Sequence, residues 1–293
     1  MAGMDDKHGL PAAFEADLAP GDDRHIVDRL IEERAERLRE NPVLWPIVRA
    51  VFYPLLGYRK AVALADRMAG MDGREAMDFA EGFLDMSVET RGLSAVPERG
   101  ACVVTANHPG GIADGIAVWE ALKARRPDAV FFANRDAIRV CEGLADFVIP
   151  VEWRDPGKSR EKTRETLKQS VAAFREERCV VIFPAGRMAQ WNWARRGLVE
   201  QAWLPTAVSL ARKFDAPVVP LGITQRMSAM FYGLGQLHEE LKHMTVFHEL
   251  LAKRGAHYRL SFGEALAAAD LAPDDAAATD ALRVASERLA WGR

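Results

Sequence analysis

The sequence predicts an α/β fold: a central, mostly parallel or mixed sheet flanked by helices, with an N-terminal helical appendage. Three observations carry this prediction. Short apolar, β-rich runs such as ACVVT at 101–105 and CVVIF at 179–183 alternate with longer segments of helical length. The runs are nearly continuous in Val, Ile and Phe, as strands covered on both faces must be, instead of alternating as in a half-exposed sheet. Ahead of residue 97, by contrast, the chain shows helical stripes and one apolar stretch, 42–65, interrupted by Pro46 and Pro54.

In chain order, residues 1–22 are polar and acidic without an apolar signal-peptide core, which predicts a flexible lead-in to a protein kept in the cytoplasm. Residues 24–40 place Ile26, Leu30, Ala35 and Leu38 among many charges, the pattern of a surface helix with a narrow apolar stripe. The segment 42–65 is far more apolar, but its charge-free part, 50–58, falls well below the roughly 20 residues that span a bilayer, and Pro46 and Pro54 interrupt it. Two readings stay open: short helices packed on the main domain, or an interfacial anchor. In the anchor, Trp45, Phe52, Tyr53 and Tyr58 would make the membrane contact, with Arg49, Arg59, Lys60 and Arg67 toward anionic lipid. A helix over 74–88 closes this unit, which gives boundaries of 23–96 for the helical part and 97–293 for the α/β domain. Strands are then expected at 101–105, 129–133, 147–151, 179–183, 217–223 and 258–262, with helices from near Asp114 through Trp119 to Arg125 and over 159–177, 204–214 and 274–289.

The chemistry gathers where strands end. The first strand runs into Asn107 and His108, a Pro-Gly-Gly turn follows, and Asp114 opens the next helix. If the turn brings Asp114 back to the imidazole, the carboxylate fixes the ring's tautomer and leaves the other nitrogen as a general base. A purely structural alternative has His108 closing the turn and Asp114 capping the helix. Arg135 follows the second strand, while Gly186 and Arg187 follow the fourth. In an open α/β sheet such positions converge on the ligand crevice, so the two arginines are candidates to seat a phosphate or carboxylate.

Composition narrows the classes. With 39 Lys plus Arg against 42 Asp plus Glu, the net charge of −3 offers no general attraction to nucleic acid, and no nucleic-acid-binding motif is present. Cys102, Cys141 and Cys179 are dispersed, as reduced buried thiols are. His238, His243, His248 and His257 are spaced by five, five and nine, which is not metal-site spacing, and the glycines lack nucleotide-loop spacing. Neither a metal nor a cofactor is expected. The aromatic, basic stretch Trp191–Arg196 reads equally as a ligand stack, a lid or a membrane-facing loop.

These residues, in this order, resemble the motifs of the glycerolipid and lysophospholipid acyltransferases over roughly 100–265. Asn107-His108 with a following Asp, a basic residue after the second strand, Phe183-Pro184-x-Gly186 and Pro217-Val218-Val219-Pro220 correspond to the family's four motifs. The run from Arg226 to Phe262 is similar to the bacterial hemolysin-like, ornithine-lipid-associated branch, as is the His–Asp spacing of five intervening residues where the wider family has four. Ala185 and Arg187 stand where that family has Phe-Pro-Glu-Gly-Thr-Arg, which leaves the acceptor's headgroup open. The resemblance implies acyl transfer from acyl-CoA or acyl carrier protein to the hydroxyl of a lysolipid, such as a lysophospholipid or lyso-ornithine lipid. His108 would be the general base and Asp114 its orienting carboxylate, with Asn107, Gly110, Gly111, Arg135, Gly186 and Arg187 binding substrate at an anionic membrane surface on the cytoplasmic side, and backbone N–H groups at Gly110, Gly111 or Gly186 would meet the developing oxyanion. The competing reading is a non-catalytic, membrane-associated lipid-binding protein that keeps the fold.

Overall fold

The computed structural model describes residues 23–152 and 159–292; the expected lead-in, 1–22, lies outside them. The segment expected to be one helix at 24–40 forms two, α1 (Ile26–Glu32) and α2 (Glu36–Glu40), broken at Arg34 and Ala35. Val27, Ile31, Ala35 and Leu38, the positions of the expected apolar stripe save for Val27 and Ile31 in place of Ile26 and Leu30, all lie in one buried cluster across the break. Next come α3 (Leu44–Leu55) and α4 (Tyr58–Met68). Pro46 sits in the first turn of α3, where its missing N–H costs nothing, and Pro54 in the last, so both prolines bound the helix instead of breaking it. Gly57, at φ +72°, makes the left-handed turn into α4.

Helix α5 (Gly73–Leu84) starts on a capping box in which Asp72 and Glu75 each bond the other's backbone N–H. The polar run after it, expected to remain helical through Val88, is instead the edge strand β1 (Ser87–Arg91). Only an edge position tolerates such a polar sequence, which explains why periodicity missed it.

The α/β part continues through β2 (Cys102–Ala106), α6 (Ile112–Leu122), β3 (Val130–Asn134), α7 (Asp136–Val140), β4 (Val148–Val151), α8 (Arg160–Arg175) and β5 (Cys179–Ile182). A small antiparallel hairpin, β6 (Gln190–Asn192) with β7 (Gly197–Val199), precedes α9 (Thr206–Phe214) and β8 (Val218–Thr224). Three short helices, α10 (Ala229–Leu237), α11 (Glu239–Met244) and α12 (Val246–Leu251), then lead to β9 (His257–Phe262) and α13 (Asp275–Trp291).

The sheet has seven strands in the order β1-β9-β8-β2-β5-β3-β4. From β8 to β4 neighbours are parallel; β9 pairs antiparallel with β8 and parallel with β1, so the last two strands run backwards. The mostly parallel, mixed sheet is as expected. Its central strands β2 and β5 are buried at every residue, because helices cover both faces. One face carries Trp119 and Leu122 of α6 with Ala76, Ala80 and Leu84 of α5; the other carries Phe174 of α8, Val208 of α9 and Leu282 of α13. Helix α13 lies so close to β8 that a β-carbon on Gly222 would stand 2.3 Å from the Ala290 nitrogen.

The N-terminal helices form a third cluster, which Met244 of α11 joins. Buried Asp28 organises it, accepting from the Tyr58 hydroxyl at 2.5 Å, with the Arg49 guanidinium 3.4 Å away. Tyr53 is buried and stacks on Tyr58 with ring centroids 4.6 Å apart; Trp45 and Phe52 pack against the same cluster. The aromatic side chains expected at headgroup depth therefore face inward. What α3 turns outward is aliphatic: Val43, just before it, and Ile47, Val51 and Leu55 are each more than half exposed.

Candidate active site

Because β8, β2, β5 and β3 are parallel, the segments leaving them emerge on one edge of the sheet, where the reversed strand β9 begins. Asn107, directly after β2, is fully buried. Its Nδ2 donates to the Ile223 carbonyl at 2.9 Å and its Oδ1 accepts from the Ile223 N–H at 2.6 Å, so the side chain extends the β2–β8 ladder by one rung. With both ends of the amide engaged, Asn107 holds the exit of β2 and is not placed to bind substrate, contrary to expectation.

That rung directs His108 into the turn. The turn returns as expected: His108 Nδ1 lies 3.0 Å from Asp114 Oδ2. The same oxygen accepts from the Gly110 N–H at 2.8 Å. Asp114 is fully buried in the first turn of α6, where the helix dipole favours its charge, whereas the His108 side chain is about one-fifth exposed. The imidazole rests on Phe183, centroids 4.5 Å apart. With Nδ1 held, Nε2 is left for the open side.

Two partners in this layer had no sequence signal. Glu200, just after β7, accepts from the His108 N–H at 3.0 Å through Oε1 and from the Trp203 indole at 3.3 Å through Oε2. Burial pushes its carboxyl up to about 7, against the opposing pull of the hydrogen bond from, and the proximity of, His108. Tyr258, second residue of β9, is also fully buried, and its hydroxyl stands beside Asp114 Oδ1 next to Gly110, where burial and the Asp114 charge push the phenol well above its ordinary range. Neither residue could be found from spacing: Glu200 lies 92 positions from His108, and Tyr258 arrives only because β9 is reversed.

The glycines divide. Gly110 and Gly186 have committed their N–H groups, to Asp114 and to the Phe183 carbonyl (2.9 Å) respectively, so neither is an oxyanion donor in this geometry. Gly111, at φ +75°, turns the chain into α6 and keeps its N–H at the start of that helix. The arginines do not share a cavity either. Arg135 is buried with its Nε 3.3 Å from Glu152, and Lys162 approaches the same carboxylate at 3.9 Å. Arg187 is exposed and stands toward α11, where burial first, and then Lys242, Arg34 and Arg187, push His243 down to about 4. Of these two arginines, Arg187 is the exposed one.

A buried-strand α/β sheet that presents a carboxylate-oriented histidine at a strand-to-helix turn is an arrangement suited to general-base chemistry. An acyltransferase family model matches residues 87–224, which run from β1 to the end of β8. The lyso-glycine lipid O-acyltransferase of Phocaeicola vulgatus is 29% identical over 199 residues, 64% of this chain and 68% of that protein. The lyso-glycine lipid O-acyltransferase of Bacteroides thetaiotaomicron is 27% identical over 169 residues, 56% of this chain and 59% of that protein. A solved structure, the 1-acyl-sn-glycerophosphate acyltransferase PlsC of Thermotoga maritima, overlaps 90% of this chain and 94% of its own at 14% identity and a TM-score of 0.47. The matched residues 87–224 contain the four motifs by which the sequence resembles the acyltransferases, and the chain is an enzyme.

Proposed function

We propose that the enzyme transfers a long acyl chain from a thioester of coenzyme A or acyl carrier protein to the free hydroxyl of a lysolipid, and that its acceptors are lysolipids with an amino-acid headgroup. The 3.0 Å contact between His108 and Asp114 carries the mechanistic reading. His108 Nε2 takes the hydroxyl proton as the oxygen attacks the thioester carbonyl, and Asp114 stabilises the imidazolium that forms. The tetrahedral oxyanion meets the Gly111 N–H at the positive end of α6. On collapse the C–S bond breaks, the imidazolium returns its proton to the thiolate, and ester and free thiol leave. The headgroup reading is supported by the two lyso-glycine lipid relatives and by the departure from the family's Phe-Pro-Glu-Gly-Thr-Arg pattern. The work site proposed here is an anionic membrane on its cytoplasmic side, reached through the outward aliphatic face of α3 and the exposed Arg49, Arg59 and Lys60.

The test is a panel of lyso-glycine lipid, lyso-ornithine lipid and lysophospholipids offered with palmitoyl-CoA or palmitoyl carrier protein, read by mass spectrometry. The proposal expects O-acylated amino-acid lipids as the main product; lysophospholipid turnover alone would reject the headgroup reading. His108→Ala should remove activity with the thermal melt preserved, and Asp114→Asn should leave a small remainder. Wild-type turnover by His108→Ala would end the general-base reading.

A further inference from the structure

The β6–β7 hairpin leaves and re-enters the domain at the same residue, His108. Immediately before it, the Ala189 N–H donates to the His108 carbonyl at 2.9 Å; immediately after it, Glu200 Oε1 accepts from the His108 N–H at 3.0 Å. His108 is thus gripped on both sides of its backbone by the two feet of the hairpin, while its ring is held by Asp114. Trp203 holds the second Glu200 oxygen, so both carboxylate oxygens meet N–H donors. A proton on either oxygen would displace one of those bonds, and the ionised form is therefore the one that grips His108 fully.

We propose that Glu200 is a positioning residue for the acyl transfer: by holding the His108 N–H it sets where the imidazole stands, and as a carboxylate it favours the imidazolium that forms during turnover. The inference rests on the reading of His108 as the base. Glu200 makes contact with His108 only through the backbone, so it acts through the histidine and not on substrate.

The charged groups facing Glu200 are His108, from the β2–α6 turn, and Asp114, from α6; its own segment contributes only the neutral Trp203 indole. Asp114 and burial oppose ionisation while His108 supports it, and the balance near 7 puts Glu200 within reach of ordinary assay conditions. The sign for stability follows. A carboxyl raised from its ordinary 4.5 to about 7 in the folded state holds its proton longer than the unfolded chain does, so stability is fully present below about 4.5 and declines as pH rises to 7. Glu200→Gln escapes that decline but loses the charge.

Four proteins decide the matter: wild type, Glu200→Gln, Glu200→Ala and His108→Ala, each assayed for kcat and KM from pH 5.5 to 8.5 beside a thermal melt. Glu200→Ala should lose about tenfold or more in kcat per folded molecule with KM within about twofold, and Glu200→Gln should recover part of it because its amide oxygen can still accept from His108. The wild-type-to-Gln rate ratio should stand near one at pH 5.5 and climb to about threefold or more at pH 8.5. The Gln variant should gain on wild type in melting temperature as pH rises to about 7 and hold a constant lead above it. Unchanged kcat in Glu200→Ala, or a rate ratio flat with pH, overturns the assignment provided His108→Ala is inactive. An active His108→Ala instead overturns the reading of the base itself.

Discussion

At Gly110 the smallest side chain is required by two neighbours at once. A β-carbon there would stand 2.3 Å from Asp114 Oδ1 and 2.6 Å from the Tyr258 hydroxyl, both fully buried. Its backbone is not in the left-handed region, so the constraint is space alone. Gly110→Ala must therefore displace the carboxylate that holds His108, and a displacement of about 1 Å at a reacting group costs on the order of 100-fold in rate. Steady-state kinetics should show that loss in kcat, beyond what any change in melting accounts for. Gly115, one turn into the same helix, has open space around its α-carbon. Gly115→Ala should leave kcat unchanged and raise stability by about 0.5–1 kcal/mol, as removal of a helix glycine does; equal activity in the two variants would show that Asp114 tolerates movement.

Among the elements, α3 shows how far sequence reading reaches. Its density of apolar residues is plain in the sequence, as are the prolines that bound it, but helical periodicity could not say which residues face in, because nearly all of them are apolar. The structure separates two rows: Val48 and Tyr53 join the cluster around Asp28 with Phe52 packed beside them, while Val43, Ile47, Val51 and Leu55 recur every fourth residue on the outside. Substituting Ile47 and Val51 with Glu should abolish sedimentation with anionic liposomes and leave the melt and the turnover of a short, water-soluble substrate pair intact. Full retention of liposome binding would remove this face from the membrane reading. The same limit explains the other differences. Strands buried on both faces were legible as apolar runs, and the His108–Asp114 turn as punctuation between a strand and a helix. The polar edge strand β1 and the short β6–β7 hairpin carry no such pattern, and Arg135 gives no hint in sequence that Glu152 takes it out of the crevice.

For the molecule as a whole, the sheet edge opposite the site is tied by buried and half-buried arginines, Arg126 foremost. Arg126 is essentially buried, donating to the carbonyls of Pro97, Gly100 and Glu177 at 2.8–3.0 Å and pairing with Asp128 at 2.7 Å, so it ties the entry to β2 to the entry to β5. Arg126→Met would leave those carbonyls unsatisfied and should cost about 3–5 kcal/mol, read as a melting midpoint lower by on the order of 10 °C. The folded fraction should keep its kcat below that midpoint, since the site lies at the other ends of the strands. The Asn107–Ile223 rung has a consequence in time. His108 and Asp114 leave the ribosome early, but the backbone that fixes Asn107 arrives 116 residues later, and Tyr258 and the covering helix α13 later still. A nascent chain stopped before β8 would carry the dyad residues without the strand that aims them. Synthesis itself therefore keeps the histidine from being set in place until most of the chain exists.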